Sequence, residues 1–142
     1  MKVVINSQHG GFSLSKEGMK RYCEIKNIPC WIEDDTQFKT LGIFTVWLVP
    51  PDNRMTMQED VFYTMTMEDR KEYNETYSRQ TLSHYNIARN DSALIQLVEE
   101  NASVYAGRHA TLKVVDIPDD VEWEIEEYDG VEWIAEKHRT WN

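Results

Sequence analysis

The sequence is poor in the residues that build disulfide or metal scaffolds. It contains only two cysteines, Cys23 and Cys30, among 142 residues. Two are too few for a disulfide framework, and their spacing matches no common zinc motif. The four histidines are also far apart, so a metal site would need ligands from distant parts of the chain. We therefore expect no metal or other cofactor, and a reducing compartment.

Positive charge is scarce as well. Lysine and arginine number 15 against 25 aspartates and glutamates, which gives a formal net charge of −10. A sequence-independent grip on duplex DNA relies on excess positive charge, because binding releases counterions from the phosphates. The composition argues against that role. It is compatible with a small anionic ligand, since a pocket needs only two or three arginines or lysines.

Long apolar runs are missing too. The longest, residues 41–51, is far shorter than the ~20 residues that a membrane-crossing helix requires. Residues 1–20 lack the continuous apolar core of a signal peptide. With 41% hydrophobic residues, the chain is large enough to bury a core of its own. We expect one soluble intracellular domain over residues 1–142.

The apolar periodicity predicts an α+β fold with a largely antiparallel sheet and two main helices. Residues 41–49 are apolar on both faces, which is typical of a central strand. Asp129-Gly130 favours a two-residue turn in a C-terminal β-hairpin, because both positions must tolerate positive φ. The other predicted elements are strands at 2–6, 30–33, 111–117 and from 121, a helix from Ser13 or Ser15 to about Lys26, and a helix from Asn90 or Asp91 to Gly107.

The middle of the chain is harder to interpret. Residues 61–67 have the β-branched and aromatic composition of a strand. Residues 67–79 favour a polar helix or an exposed loop, because their only apolar stripe is Tyr73 and Tyr77.

The two ends of the second helix are candidates for anion binding. A helix that begins near Asn90 offers free N–H groups, and Arg89 adds charge beside them. In the alternative, Asp91 is an ordinary cap that uses those donors. Arg108 follows the Gly107 break and either faces the same crevice or is a surface arginine.

The end of the chain carries a third candidate. Lys137, His138 and Arg139 lie beside Trp141, so cations that pair with phosphate adjoin an indole that can stack on a base. Alternatively, these cations neutralise the acidic partner strand. A fourth segment, residues 9–12, could aim backbone N–H groups at an anion, although a plain turn is favoured there.

Five segments carry a resemblance to small proteins of tailed bacteriophages: residues 10–15 (GGFSLS), 89–100 (RNDSALIQLVEE), 117–120 (IPDD), 128–130 (YDG) and 136–141 (EKHRTW). Within that group, length and style are similar to the Thoeris anti-defence proteins of the first-described type. The match covers both ends of the chain and leaves roughly residues 34–83 unmatched.

The resemblance implies a function in the cytoplasm of an infected bacterium. Such proteins are not enzymes; they sequester the cyclic ADP-ribose isomer made by a TIR-domain sensor, usually as oligomers. Members also hold cyclic di- or trinucleotides at a separate site. Arginines would clamp the pyrophosphate, Phe12 or Tyr85 would stack on adenine, and Asn90 and Asp91 would bind ribose hydroxyls. The full candidate set is Phe12, Tyr85, Arg89, Asn90, Asp91, Arg108, His138, Arg139 and Trp141.

Two other function classes remain open. A hydrolase of the same signals would use His9, His84 or His138 as acid or base. The chain contains no Gly-x-Ser-x-Gly, P-loop or dinucleotide motif that would support it. An acidic inhibitor that binds a host protein is the other alternative, and the net charge is its main support.

Overall fold

The computed structural model describes residues 1–36, 42–55, 59–138 and 141, with positions 59, 60 and 62 described by their backbone alone. The strands are β1 (Lys2–Asn6), β2 (Trp31–Asp34), β3 (Phe44–Trp47), β4 (Thr81–Leu82), β5 (Leu112–Asp116), β6 (Trp123–Tyr128) and β7 (Val131–Glu136). The helices are α1 (Lys16–Lys26), α2 (Glu59–Thr64), α3 (Met67–Gln80) and α4 (Ser92–Tyr105).

Contacts within the chain separate two units. The terminal unit comprises Met1–Lys26 and His84–Asn142, and the middle unit is Asn27–Ser83. Every strand pair is antiparallel: β1 with β5, β3 between β2 and β4, and β6 with β7. The α+β class and the antiparallel pairing are confirmed, whereas one ligand-binding domain over residues 1–142 stays a prediction.

The core of the terminal unit forms around β1. All four residues after Lys2 in this strand are buried, and Val3 and Val4 lie opposite Val115 and Val114 of β5. Apolar side chains of α1 and α4 complete the core. Its fully or nearly fully buried members include Met19, Cys23, Leu94 and Leu97.

Local capping sets the two main helices, as the sequence predicts. The Ser15 hydroxyl accepts a hydrogen bond from the Gly18 amide at 3.0 Å, which begins α1. Asn27, with φ 55°, follows its last residue. Asp91 caps α4, which bends at Asn101, where φ and ψ leave the helical region.

The C-terminal hairpin is also confirmed. Asp129 has φ 51° and Gly130 has φ 87°, so both central turn positions lie in the left-handed region that a tight hairpin requires. The register pairs Tyr128 with Val131 at the turn and continues to Trp123 opposite Glu136.

The middle unit confirms one prediction and corrects another. Strand β3 is central in its sheet, as expected from its apolar faces, although Leu41 lies outside the described residues. The predicted strand at residues 61–67 is wrong: these residues enter α2 and the start of α3. Thr66 caps α3 by accepting from the Asp69 amide at 3.2 Å, so a local helix signal sets the start of α3 at the end of this segment.

The polar helix predicted at residues 67–79 forms as α3, which has no buried residue. Tyr77 meets the Trp47 ring edge-on at 5.7 Å, and the Arg54 guanidinium lies 4.9 Å from the same indole. These contacts pack α3 against its sheet. None of the described helices is long and apolar enough to cross a membrane.

Candidate ligand-binding site

Phe12 and Arg89 are in contact within the terminal unit. The Arg89 guanidinium carbon is 3.6 Å from the centre of the Phe12 ring. Its two terminal nitrogens donate to the Glu132 carboxylate at 2.6 and 2.8 Å. Glu132 also accepts from the Asn6 amide at 2.7 Å. Arg89 therefore connects β1 and β7 to the segment before α4, and its fork is occupied by a carboxylate.

A row of rings runs from Phe12 to the surface. Phe12, 5% exposed, meets the His84 ring edge-on at 6.0 Å, and His84 contacts Tyr85 at 4.2 Å. Tyr85 is 78% exposed. The His84 and Phe12 rings and the Arg89 guanidinium lie behind Tyr85, so the exposed Tyr85 ring is supported by packed side chains. An exposed ring of this kind can stack on a flat ligand.

The sequence predicts His84 only as the acid or base of a hydrolase, whereas the structure places its ring between Phe12 and Tyr85. Its Nε2 atom is buried and makes no hydrogen bond within the described part of the chain. Burial, with the positive charge of Arg89, lowers the pKa of His84. Near neutral pH the imidazole is uncharged and serves as a packed ring. In the sequence, only its position next to Tyr85 indicates that His84 could belong to a ring cluster.

The N-terminus of α4 is an ordinary cap, one of the two interpretations left open above. One Asp91 oxygen accepts from the Ala93 and Leu94 amides at 2.8 and 3.3 Å. The other accepts from the Tyr22 hydroxyl and from Lys26, both at 3.0 Å. Burial opposes ionisation, but the hydrogen bonds from Lys26, Tyr22 and the amides outweigh it and lower the pKa of Asp91. A role of Asp91 at ribose stays a prediction, and it would require giving up some of these bonds.

The remaining candidates lie at the surface. Asn90, Arg108 and His138 are exposed, and Trp141 is 79% exposed. Arg139 lies outside the described residues. The contacts that join the ring cluster run from Arg89 through Phe12 and His84 to Tyr85. Of the candidate set, the structure brings together Phe12, Tyr85 and Arg89.

The loop at residues 9–12 packs against the hairpin turn. A Cβ atom added to Gly130 would lie 2.5 and 2.6 Å from the Gly11 and Gly10 nitrogens. The Asn6 side-chain amide donates to the Gly130 and Gln8 carbonyls at 2.7 and 2.6 Å. The geometry thus favours the plain-turn interpretation of this segment, in which glycine permits a close approach of two backbones.

The middle unit has an open depression of about 630 Å³ on one face of α3. Its lining residues are Met67, Arg70, Lys71, Asn74, Glu75, Ser78 and Arg79. All belong to one helix, so the depression lacks the enclosing walls of a typical ligand pocket. None of the candidate residues lines it.

No group of three or more histidine, cysteine, aspartate or glutamate side chains in the described part of the chain is placed to hold a metal ion. Comparison with known protein families, with curated proteins and with solved structures finds no match to the chain. The interpretation of the site consequently rests on the residues described above.

Proposed function

We propose that the protein binds a small signalling nucleotide, a cyclic ADP-ribose isomer made by a bacterial TIR-domain sensor, and holds it without cleaving it during phage infection. The observation that carries this proposal is the exposed Tyr85 ring, backed by His84, Phe12 and Arg89. The resemblance of both chain ends to phage anti-defence proteins supports the same ligand class.

In this proposal adenine stacks on Tyr85, and the exposed amide of Asn90 bonds a ribose hydroxyl. Arg108 and Arg139 supply charge for the pyrophosphate, since the fork of Arg89 is already bound to Glu132. Association of several copies, which the resemblance implies, would bring the C-terminal cations and Trp141 of a second chain to the ligand.

The test begins with equilibrium binding. Purified protein is mixed with 1″–3′ cyclic ADP-ribose isomers, bound and free ligand are separated, and the complex is heated to identify what is released. We expect depletion on mixing and recovery of the intact nucleotide on heating. A cleaved product would replace the proposal with the hydrolase alternative, and no depletion of any isomer would overturn it.

A matched pair of variants tests the role of Tyr85. Base-aromatic stacking contributes about 1–3 kcal/mol, so Tyr85→Ala should weaken binding roughly 5- to 150-fold, while Tyr85→Phe should bind like the wild type. Tyr128→Ala is the control, because Tyr128 is 76% exposed on the hairpin and Tyr85 is 78% exposed. Equal losses of affinity in Tyr85→Ala and Tyr128→Ala would show that Tyr85 does not stack on the ligand.

A further inference from the structure

Within the part of the chain that the structure describes, strand β6 pairs with β7 along one edge, and its other edge has no backbone partner. In a hairpin with a two-residue turn, the pair that closes the turn exchanges hydrogen bonds, and every second pair does the same. Tyr128 and Val131 close this turn, and the ladder extends to the Lys137 amide, which donates to the Glu122 carbonyl at 2.9 Å. The N–H and C=O groups of Trp123, Ile125 and Glu127 therefore point away from β7.

Those outward groups form what we call the β6 edge. The sheet of β6 and β7 has two strands, and within the described residues no other strand or loop supplies backbone hydrogen bonds to the β6 edge. An open row of alternating donors and acceptors is a template for an added strand.

A row of carboxylates runs beside this edge. Glu122, Glu124 and Glu126 are exposed and, being two residues apart, project from the same face at intervals of about 7 Å. Trp133 donates to Glu126 at 2.9 Å from the opposite strand, which fixes that side chain. Among the described residues, no lysine or arginine forms an ion pair with any of the three.

A second copy of the chain fits this edge poorly. When two β6 edges pair antiparallel, their odd-numbered residues must face each other, because those residues carry the outward groups. The even-numbered residues then also face each other. If Ile125 lies opposite its copy, Glu124 faces Glu126; a shift of one pair places Glu124 opposite itself. Like charges directly opposite destabilise strand pairing.

We propose that the β6 edge binds an extended cationic segment of a partner protein by strand addition, with lysine or arginine at every second residue. Its backbone would complete the open row of hydrogen bonds. Its basic side chains, spaced like Glu122, Glu124 and Glu126, would each meet one carboxylate. The site is independent of the nucleotide proposal, because it uses neither Tyr85 nor Arg89.

Two synthetic peptides of equal composition test the proposal on the full chain, without nucleotide present. One alternates arginine and threonine over eight residues, and the other carries the same residues in two blocks. We expect the alternating peptide to bind at least tenfold more tightly in calorimetry. It should also slow amide exchange at Trp123, Ile125 and Glu127. Equal affinities would show diffuse charge attraction only and would overturn the proposal, as would the absence of binding by both peptides.

A backbone-modified peptide separates strand addition from charge. N-methylation of alternate residues on the bonding edge removes its N–H donors and keeps every arginine, so we expect at least a tenfold loss of affinity. Glu124→Gln should weaken the alternating peptide two- to fivefold, whereas Glu17→Gln, an equal charge change at an exposed residue of α1, should leave it unchanged. An N-methylated peptide that binds as well as its parent would contradict strand addition.

Discussion

Arg89 performs two electrostatic tasks at one point of the terminal unit. Its fork neutralises Glu132, whose side chain is only 9% exposed, and its charge disfavours a second cation at His84. Removing Arg89 would leave the nearly buried Glu132 carboxylate without a cationic partner, which is a strongly destabilising change. Arg89 thus joins the Glu132 carboxylate to the ring cluster, and its charge lowers the pKa of His84.

The lowered pKa of His84 predicts a loss of stability in mild acid. In the unfolded chain His84 protonates around its ordinary pKa of about 6.5, whereas the folded protein resists protonation. As the pH falls below that value, the unfolded state binds more protons, so the free energy of unfolding decreases until the pH passes the folded pKa. Urea unfolding at pH 7.5, 6.5 and 5.5 should show this decrease.

His84→Gln should reduce that pH dependence, because it removes the titrating imidazole. The same substitution at exposed His109 is the control for loss of a histidine elsewhere, and it should keep the wild-type profile. Identical slopes for His84→Gln and the wild type between pH 7.5 and 5.5 would exclude His84 as the source.

The role of Asp91 as a cap was predictable from the sequence, because its donors at Ala93 and Leu94 lie two and three residues away. The stacking of Arg89 on Phe12 was not, because it depends on chain segments 77 residues apart in sequence. The pairing of Arg89 with Glu132 depends on where the hairpin docks. Local chemistry predicts the helix corner, and only the tertiary fold identifies the partner of Arg89.

At the scale of elements, the hairpin turn has to satisfy two demands at once. Gly130 needs φ 87° for the turn, and it also lies against the backbone of the loop at Gly10 and Gly11. Only a residue without a side chain meets both demands. The turn therefore determines how closely the hairpin approaches the N-terminal segment.

Gly130→Ala should be much more destabilising than Gly11→Ala. The left-handed conformation costs about 1–2 kcal/mol in either variant, since Gly11 has φ 88° and open space around its Cβ position. At position 130 the Cβ would also lie 2.5 Å from the Gly11 nitrogen, and such overpacking adds about 1–3 kcal/mol. Urea unfolding measures the free energy of unfolding of each variant. A similar loss in the two variants would show that the loop at Gly10 and Gly11 moves to accommodate the added Cβ without a further cost.

Elements that begin or turn at a recognisable cap or turn residue were predicted well. Ser15, Asp91 and the Asp129-Gly130 pair each act within a few residues, so α1, α4 and the hairpin could be read from the sequence. For residues 61–67, the apolar composition alone could not distinguish a short strand from a short helix. Thr66 was the overlooked signal for α3.

At the scale of the whole molecule, buried apolar side chains are distributed unevenly. Of the fifteen buried apolar residues in the described part of the chain, only Val46 belongs to the middle unit. There, ring contacts among Trp47, Tyr73 and Tyr77 supplement that burial. Less apolar burial means a smaller free energy opposing local opening.

Hydrogen exchange should therefore separate the two units. We expect backbone amides of β1, β5 and α4 to exchange at least roughly tenfold more slowly than those of β2 and β3, because core elements open only with global unfolding. Val46→Ala should accelerate exchange in the middle unit and leave the slowest amides of the terminal unit unchanged. Uniform protection across both units would contradict this expectation.

The pairing of β1 with β5 also governs the order in which the chain can fold during synthesis. Val3 lies opposite Val115, so β1 leaves the ribosome more than a hundred residues before its partner. At about 5–20 residues per second, this buried strand waits roughly 5–20 s without its neighbour. Meanwhile β2, β3 and β4 of the middle unit emerge complete, and the inserted segment can fold before the terminal unit that flanks it.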